Sequence, residues 1–289
     1  MSSIVLLSTL LIVTVSNSNA SGPSQGCSLA PNEETSGLHW FEVTVPDPYQ
    51  GEVRRSYDVY VPASYDSEAT PVLLDFHGYT ANADIQFTLF PWRIVSDEES
   101  FIYVAMNGMN DVDGLGLHGS WNCSSNKGPL GITCDLDVLG EFPCYRSCAG
   151  PSGEDCSYLE NSCDWSSCHD DVVYTEVVLQ DILDRSLFSS LKLFHSFTFV
   201  RFCIDTDSIH VSGMSNGGMF IWSRILERMT STFASVGPVC SAPLRGFNPM
   251  PEYPISIIDF HGLQDSIIPM SPDAPADRGP GKGHVTSHK

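Results

Sequence analysis

Five stretches of this chain are almost unbroken apolar sequence, each of strand length and each closing on glycine or another small residue. They are Pro71 to Gly78 (PVLLDFHG), Ser100 to Gly108 (SFIYVAMNG), Ser208 to Gly213 (SIHVSG), Phe233 to Ala242 (FASVGPVCSA) and Ile255 to Gly262 (ISIIDFHG). A strand with one wet face alternates apolar and polar side chains; a strand that does not alternate is covered on both faces, as parallel strands are when helices pack on either side of a sheet. Two earlier stretches, His39 to Val45 and Arg55 to Pro62, do alternate, as half-exposed antiparallel strands do. The pattern predicts an α/β protein in which an antiparallel pair leads into a doubly wound, mostly parallel sheet. Helices are expected over Asp170 to Arg185 and Gly217 to Met229. The first starts on acidic residues and has Val173, Val177 and Leu183, flanked by Val172, Leu179 and Ile182, as its buried face.

The ends and interruptions of this pattern carry their own readings. Residues 1–20 hold an apolar run, Ile4 to Val15, closing on Ser18-Asn19-Ala20, which reads as a cleaved secretory signal ahead of one domain over 21–289. Of ten cysteines, seven (Cys123, Cys134, Cys144, Cys148, Cys156, Cys163 and Cys168) fall in a loop-like insertion over 121–168, with Cys27, Cys203 and Cys240 outside it. In an exported protein this is a disulfide-stapled region whose pairing sequence leaves open. Zinc fits poorly, because the spacings do not make two CxxC pairs and the region holds no HxxxH. The Asn122-Cys123-Ser124 sequon would be obstructed by a disulfide at Cys123. Asp111-Val112-Asp113-Gly114 lacks the later ligands of a calcium loop. Residues 186–202, with five phenylalanines and no acidic residue, read either as an extra buried element or as sequence foreign to the working protein. A formal charge of −21, with only 14 Lys and Arg, argues against phosphate-binding surfaces of the kind nucleic acids and anionic membranes require.

Chemistry enters at Gly213-Met214-Ser215-Asn216-Gly217, a G-x-S-x-G between a strand-like and a helix-like stretch. A sharp strand-to-helix turn presents a serine hydroxyl at a sheet edge, and the flanking glycines let neighbouring backbone approach. The Asn216 N–H, at the helix start, and the Tyr79 N–H, after the His77-Gly78 turn, are the expected oxyanion donors. Asp265, beyond the last strand, follows Ser215 in the order Ser, Asp, His and is the expected orienting acid; Asp259 is its rival but lies inside the strand. Trp121 is read as lining a substrate cleft.

GMSNGGMF, HGYTAN and FHGLQDSIIP together resemble the secreted polyhydroxybutyrate depolymerase, feruloyl esterase and acetylxylan esterase group of α/β-hydrolases, the LpqC-like esterases, over about Val43 to Pro269. GSWNC and WSSCHDDVVY resemble its cysteine-containing branch. The resemblance implies ester hydrolysis through an acyl-enzyme, without metal or organic cofactor, with Ser215 as nucleophile, Asp265 as acid, and Tyr79 and Asn216 as oxyanion donors. The substrate would be a carboxylic ester, polymeric or attached to a polysaccharide.

The base is the gap in this reading. The family's histidine follows a further strand and helix, but residues 270–289 are too rich in proline and glycine to form them. The carboxyl end is therefore read as truncated or altered, and His284 is the candidate base within it. His118, His169, His195 and His210 lie in the wrong places along the chain. Two other readings share the fold: a secreted non-catalytic binding protein lacking the histidine, and a serine peptidase.

Overall fold

The computed structural model describes residues 22–28, 35–47, 51–66, 68–110, 119–123, 166–167, 169–184, 202–242, 250–265 and 267–268. Residues 1–20, read as a secretory signal, most of the cysteine-rich insertion, the phenylalanine-rich segment up to residue 201, and 269–289 with His284 lie outside them.

The strands are β1 (Gly37–Asp47), β2 (Gly51–Val61), β3 (Thr70–Phe76), β4 (Ile102–Met106), β5 (Ile204–Met214), β6 (Ser235–Val239) and β7 (Ser256–Ile257), forming one sheet in the order β1-β2-β4-β3-β5-β6-β7. β2 runs antiparallel to both β1 and β4, and every pairing from β4 across to β7 is parallel. The expected antiparallel pair leading into a parallel sheet is what forms. Pattern decides burial strand by strand: edge strand β1 alternates between half-buried and exposed along most of its length, whereas all five residues of β4 are buried.

The central parallel strands β3 and β4 are covered on both faces. Val72, Leu74, Phe76, Ile102, Val104 and Met106 join the larger core, which receives α3 (Asp171–Asp184) and the helix after β5. Their sequence neighbours Leu73, Tyr103 and Ala105 point the other way, as a two-residue period requires, and pack with α1 (Ala83–Leu89) and α2 (Trp92–Glu99). In α3 the buried stripe is Asp171, Val172, Tyr174, Thr175, Val178, Leu179 and Ile182, while Val173, Val177 and Leu183 are only half-buried. The expected face is thus rotated, because Asp171 and Tyr174 are drawn inward by polar partners.

A disulfide joins Cys27 to Cys203, tying the amino-terminal turn to the start of β5 across 176 residues. Both cysteines lie outside the cluster expected to be stapled. Cys123, expected in a disulfide, is instead a buried free thiol. Asn122 is also buried, its side-chain amide donating to the His169 carbonyl, so the sequon is closed to a glycan. Phe202, the last residue of the phenylalanine-rich segment, is buried edge-on against Phe41.

Asp75, inside β3, is buried, and among the described residues no cation pairs with it; its Oδ2 accepts from Gln86 Nε2 at 2.6 Å and from the Tyr103 hydroxyl at 2.9 Å. Burial pushes its carboxyl up from 3.8, and the donated hydrogen bonds only partly oppose this. A carboxyl whose folded value is raised stabilises the fold fully below its unfolded value and loses that contribution as pH rises through the folded one. Asp75→Asn is therefore expected to raise the denaturation midpoint at pH 8, with the gain shrinking toward pH 4. A variant less stable than the parent at pH 8 would show that the two donors outweigh burial.

Candidate active site

Ser215 sits at the carboxyl edge of the sheet, where β5 turns into α4 (Asn216–Phe220), a helix that continues through a π turn, Ile221–Ile225, into α5 (Leu226–Arg228). Its backbone is at φ 52°, ψ −114°, a conformation that L residues rarely hold. Two bonds fix it: the Ser215 N–H donates to the Val239 carbonyl at the end of β6 (2.8 Å), and the Ser215 carbonyl accepts from Met219 N–H (2.9 Å). The glycines allow the crossing. A Cβ on Gly213 would meet the Gly217 carbonyl at 2.8 Å, and one on Gly217 would lie 2.6 Å from the Phe76 carbonyl carbon and 2.7 Å from the His77 oxygen.

The turn after β3 reaches the same place. Phe76 pairs with Gly213 across the β3 and β5 ladder, so His77-Gly78-Tyr79 leaves the sheet beside Ser215, and a Cβ added to Gly78 would sit 3.5 Å from that of Ser215. Thr80, at φ 66°, completes the turn, its N–H donating to Gly119. Both segments expected to supply oxyanion donors, at Tyr79 and Asn216, therefore flank the serine.

His77 is a fully buried structural residue. Its Nε2 accepts from Gly108 N–H (2.8 Å), which leaves Nδ1 as the protonated nitrogen donating to the Gly78 carbonyl (2.7 Å). Burial lowers its pKa to about 4 from 6.5. A histidine kept neutral contributes stability that is complete above its unfolded value and is lost as pH falls through the folded one. That span corresponds to roughly 3 kcal/mol at most. Relative to His77→Gln, the parent is expected to lose about 2 kcal/mol of unfolding free energy between pH 7.5 and 4.5, read as a difference because buried carboxyls such as Asp75 shift the opposite way; a difference between the two proteins that does not change with pH would place the acid sensitivity elsewhere.

Trp121 lies beneath the site, not in a cleft wall: it is completely buried, its indole N–H donates to the His77 carbonyl (2.8 Å), and its ring meets Phe76 edge-on.

Asp265 follows β7 at the same carboxyl edge. The register runs outward from the serine: Ser215 bonds Val239, and Cys240 N–H bonds Phe260. Asp265 Oδ1 accepts from the N–H groups of Ile267 and Ile268 (both 2.9 Å), and its Oδ2 is 3.5 Å from His261 Nε2. His261, which the reading of the chain did not weigh, is tied by that same nitrogen to the Ile268 carbonyl (2.6 Å). The signal for it was its position four residues before Asp265 at the end of a strand. Asp259 is exposed beside Phe260.

Among the described residues no histidine hydrogen-bonds the Ser215 hydroxyl. His210, in β5, bonds Ser235 Oγ (2.8 Å), about 16 Å back along the strand. His169 pairs with Asp47 through Nδ1 (2.7 Å), both side chains buried. Among the described residues no group of three or more His, Cys, Asp or Glu is placed to hold a metal ion, and no helix is long and apolar enough to cross a membrane.

No family model matches the chain, and no curated protein matches it. Solved structures do. It is similar to LpqC, a poly(3-hydroxybutyrate) depolymerase from Bordetella parapertussis, at 14% identity over 86% of this chain and 73% of that one, with a TM-score of 0.45. It is similar also to an acetyl xylan esterase from Aspergillus awamori (13% identity, 71% of this chain, 53% of that one, TM-score 0.40) and to a ferulic acid esterase (14%, 71%, 60%, TM-score 0.37). The chain thus spans about half the length of the acetyl xylan esterase it matches. The fold itself is legible in the molecule's own topology. A mostly parallel sheet with β2 reversed, helices on both faces, and a serine on the strand-to-helix turn after β5 make an α/β-hydrolase fold.

Proposed function

We propose that this chain is a secreted serine hydrolase of carboxylic esters that works through an acyl-enzyme. The observation that carries the reading is the backbone of Ser215, held at φ 52° between β5 and α4 with the Gly78 turn against it. A non-glycine residue is kept in so sparse a conformation only where the surroundings enforce it, and strain of that kind concentrates at functional sites.

In this reading Ser215 Oγ attacks the ester carbonyl carbon and its proton passes to the base. The carbonyl oxygen, now carrying the negative charge, is met by the N–H groups of Asn216 and Tyr79, which must stand 2.7–3.1 Å from it. Collapse expels the alcohol with the proton returned by the base, and water then releases the acid by the same path. Asp265 orients the base, and His284 fills that role. The substrate is a polyester or an ester-decorated polysaccharide, the class hydrolysed by the group its motifs resemble. Export is supported by the leader in residues 1–20 and by the Cys27 to Cys203 disulfide, a bond that persists in oxidising compartments.

Turnover of p-nitrophenyl acetate, followed by acid quench and peptide mass analysis, is the test. Hydrolysis with an acetyl group on the Ser215 peptide is expected. Turnover with the acetyl elsewhere, or no turnover, would reject the proposal.

A further inference from the structure

One tripeptide, Trp121-Asn122-Cys123, touches both segments that flank the nucleophile. On the helix side it holds three atoms of Asn216: Trp121 N–H donates to Oδ1 (2.9 Å), Nδ2 donates to Cys123 Sγ (3.1 Å), and the Cys123 thiol donates to the Asn216 carbonyl (3.3 Å). On the other side the Trp121 indole N–H holds the carbonyl of His77, at the head of the turn that carries Tyr79. The indole ring is wedged between Phe76 of β3 and Phe220 of α4, with centroids 4.9 and 5.8 Å away.

The tripeptide is itself anchored from below. Asn122 N–H donates to Asp171 Oδ2 (2.6 Å), Cys123 N–H to Ser166 Oγ (2.9 Å), and Asp171 Oδ1 accepts from Arg55 Nη2 (2.8 Å), whose guanidinium lies 3.9 Å over the Tyr174 ring. Arg55, Asp171, Asn122, Cys123 and Asn216 are all buried, so each contact operates in a low-dielectric interior where hydrogen bonds are strong and their loss is costly. Burial, and then the charge of Asp171, push the Cys123 thiol well above its usual range, which keeps its proton in place as the donor to Asn216.

We propose that this strap is a positioning element for the reaction, with Cys123 and Trp121 fixing the distance and direction of the Asn216 and Tyr79 segments relative to Ser215. The inference rests on the esterase reading. Donors that stabilise a developing oxyanion work only when held to a fraction of an ångström by their supports, and a displacement of about 1 Å costs on the order of 100-fold in rate.

The test is steady-state kinetics on a p-nitrophenyl ester. Cys123→Ala is expected to lower kcat by roughly 10-fold or more with KM unchanged. Cys123→Ser, which keeps a group that both donates and accepts, should recover part of the loss. Trp121→Phe, which removes the bond to His77 but keeps a ring, should also act on kcat. Thr88→Ala, at an exposed position of α1, should leave both constants alone. Wild-type kcat in Cys123→Ala, or a change confined to KM, would overturn the strap while leaving the nucleophile intact. If the parent neither turns over esters nor acylates Ser215, the proposed function falls and the positioning role falls with it; the physical coupling of the strap to Asn216 is read separately from Tm. Asn216→Ala and Cys123→Ala combined should lower Tm no further than the larger single change, and additive shifts would overturn the inference.

Discussion

Ser215→Ala is expected to abolish ester turnover, by roughly a millionfold in kcat as when subtilisin loses its nucleophile, and to leave Tm where it was. The two halves of that result have separate causes. Removing Oγ removes the atom that bonds the substrate carbon, so whatever acceleration remains comes from substrate binding and oxyanion contacts alone. The backbone strain stays, because alanine has the same Cβ and so the same aversion to φ 52°, ψ −114°. Ser215→Gly separates the two further. Glycine accepts that conformation, relieving strain of about 1–3 kcal/mol, against which stands the greater freedom glycine gives the unfolded chain, about 0.5–1 kcal/mol. The net expectation is a Tm higher by roughly 2–4 °C in a protein as inactive as the alanine variant. A serine variant that kept its activity, or a glycine variant less stable than the parent, would remove the reason for regarding this turn as a nucleophile's seat.

Gly217→Ala should damage both stability and activity. The new methyl would sit 2.6 Å from the Phe76 carbonyl carbon and 2.7 Å from the His77 oxygen, closer still to the Phe76 oxygen, and these are backbone atoms at the end of a central strand. They cannot swing aside as a side-chain tip can. The helix start must move off β3, which overpacks the interior at a cost of about 3 kcal/mol or more, a fall in Tm of roughly 6 °C or more. The same movement pulls Asn216 away from the Tyr79 turn, so kcat should fall by about 100-fold even at temperatures where the variant is folded. Gly237→Ala, in β6, is the control: its nearest neighbours are 3.7 Å away at ordinary contact and its φ is not positive, so little change in either quantity is expected.

The parallel sheet was legible because full burial leaves a compositional trace. The runs around β3 and β4 lack polar alternation since each strand is covered on both faces, and the turn at Ser215 was legible because only glycine fits where two backbones cross. The run from Ile255 to Gly262 misled in part. It reads as another buried strand, yet only Ser256–Ile257 pairs continuously, with a single bridge at Phe260, and Ile257, Ile258 and Phe260 are exposed at the sheet edge. α1 and α2 were not read at all. They are short, Pro91 separates them, and their one local signal was Asn82, whose side chain caps α1 by accepting from Ile85 N–H.

The strap was out of reach for a different reason. Trp121 reads as a cleft residue from its place in a loop, since loops carry the variable contacts of a scaffold. What buries it is Phe76, Tyr174 and Phe220, brought together only by the fold, and the partners of Cys123 and Trp121 on Asn216 lie 93 and 95 residues away in sequence. Likewise, nothing local announces that His77 must be neutral. That follows from an N–H of Gly108 aimed at its Nε2.

The most direct measurement is reaction of the purified protein with a fluorophosphonate probe, followed by peptide mapping of the phosphonylated residue. Covalent modification confined to Ser215, absent in Ser215→Ala and blocked by prior incubation with an ester substrate, is the predicted result. A folded protein that takes up no probe, or takes it up on another residue while Ser215 stays unmodified, would contradict the claim that this bend holds an activated hydroxyl.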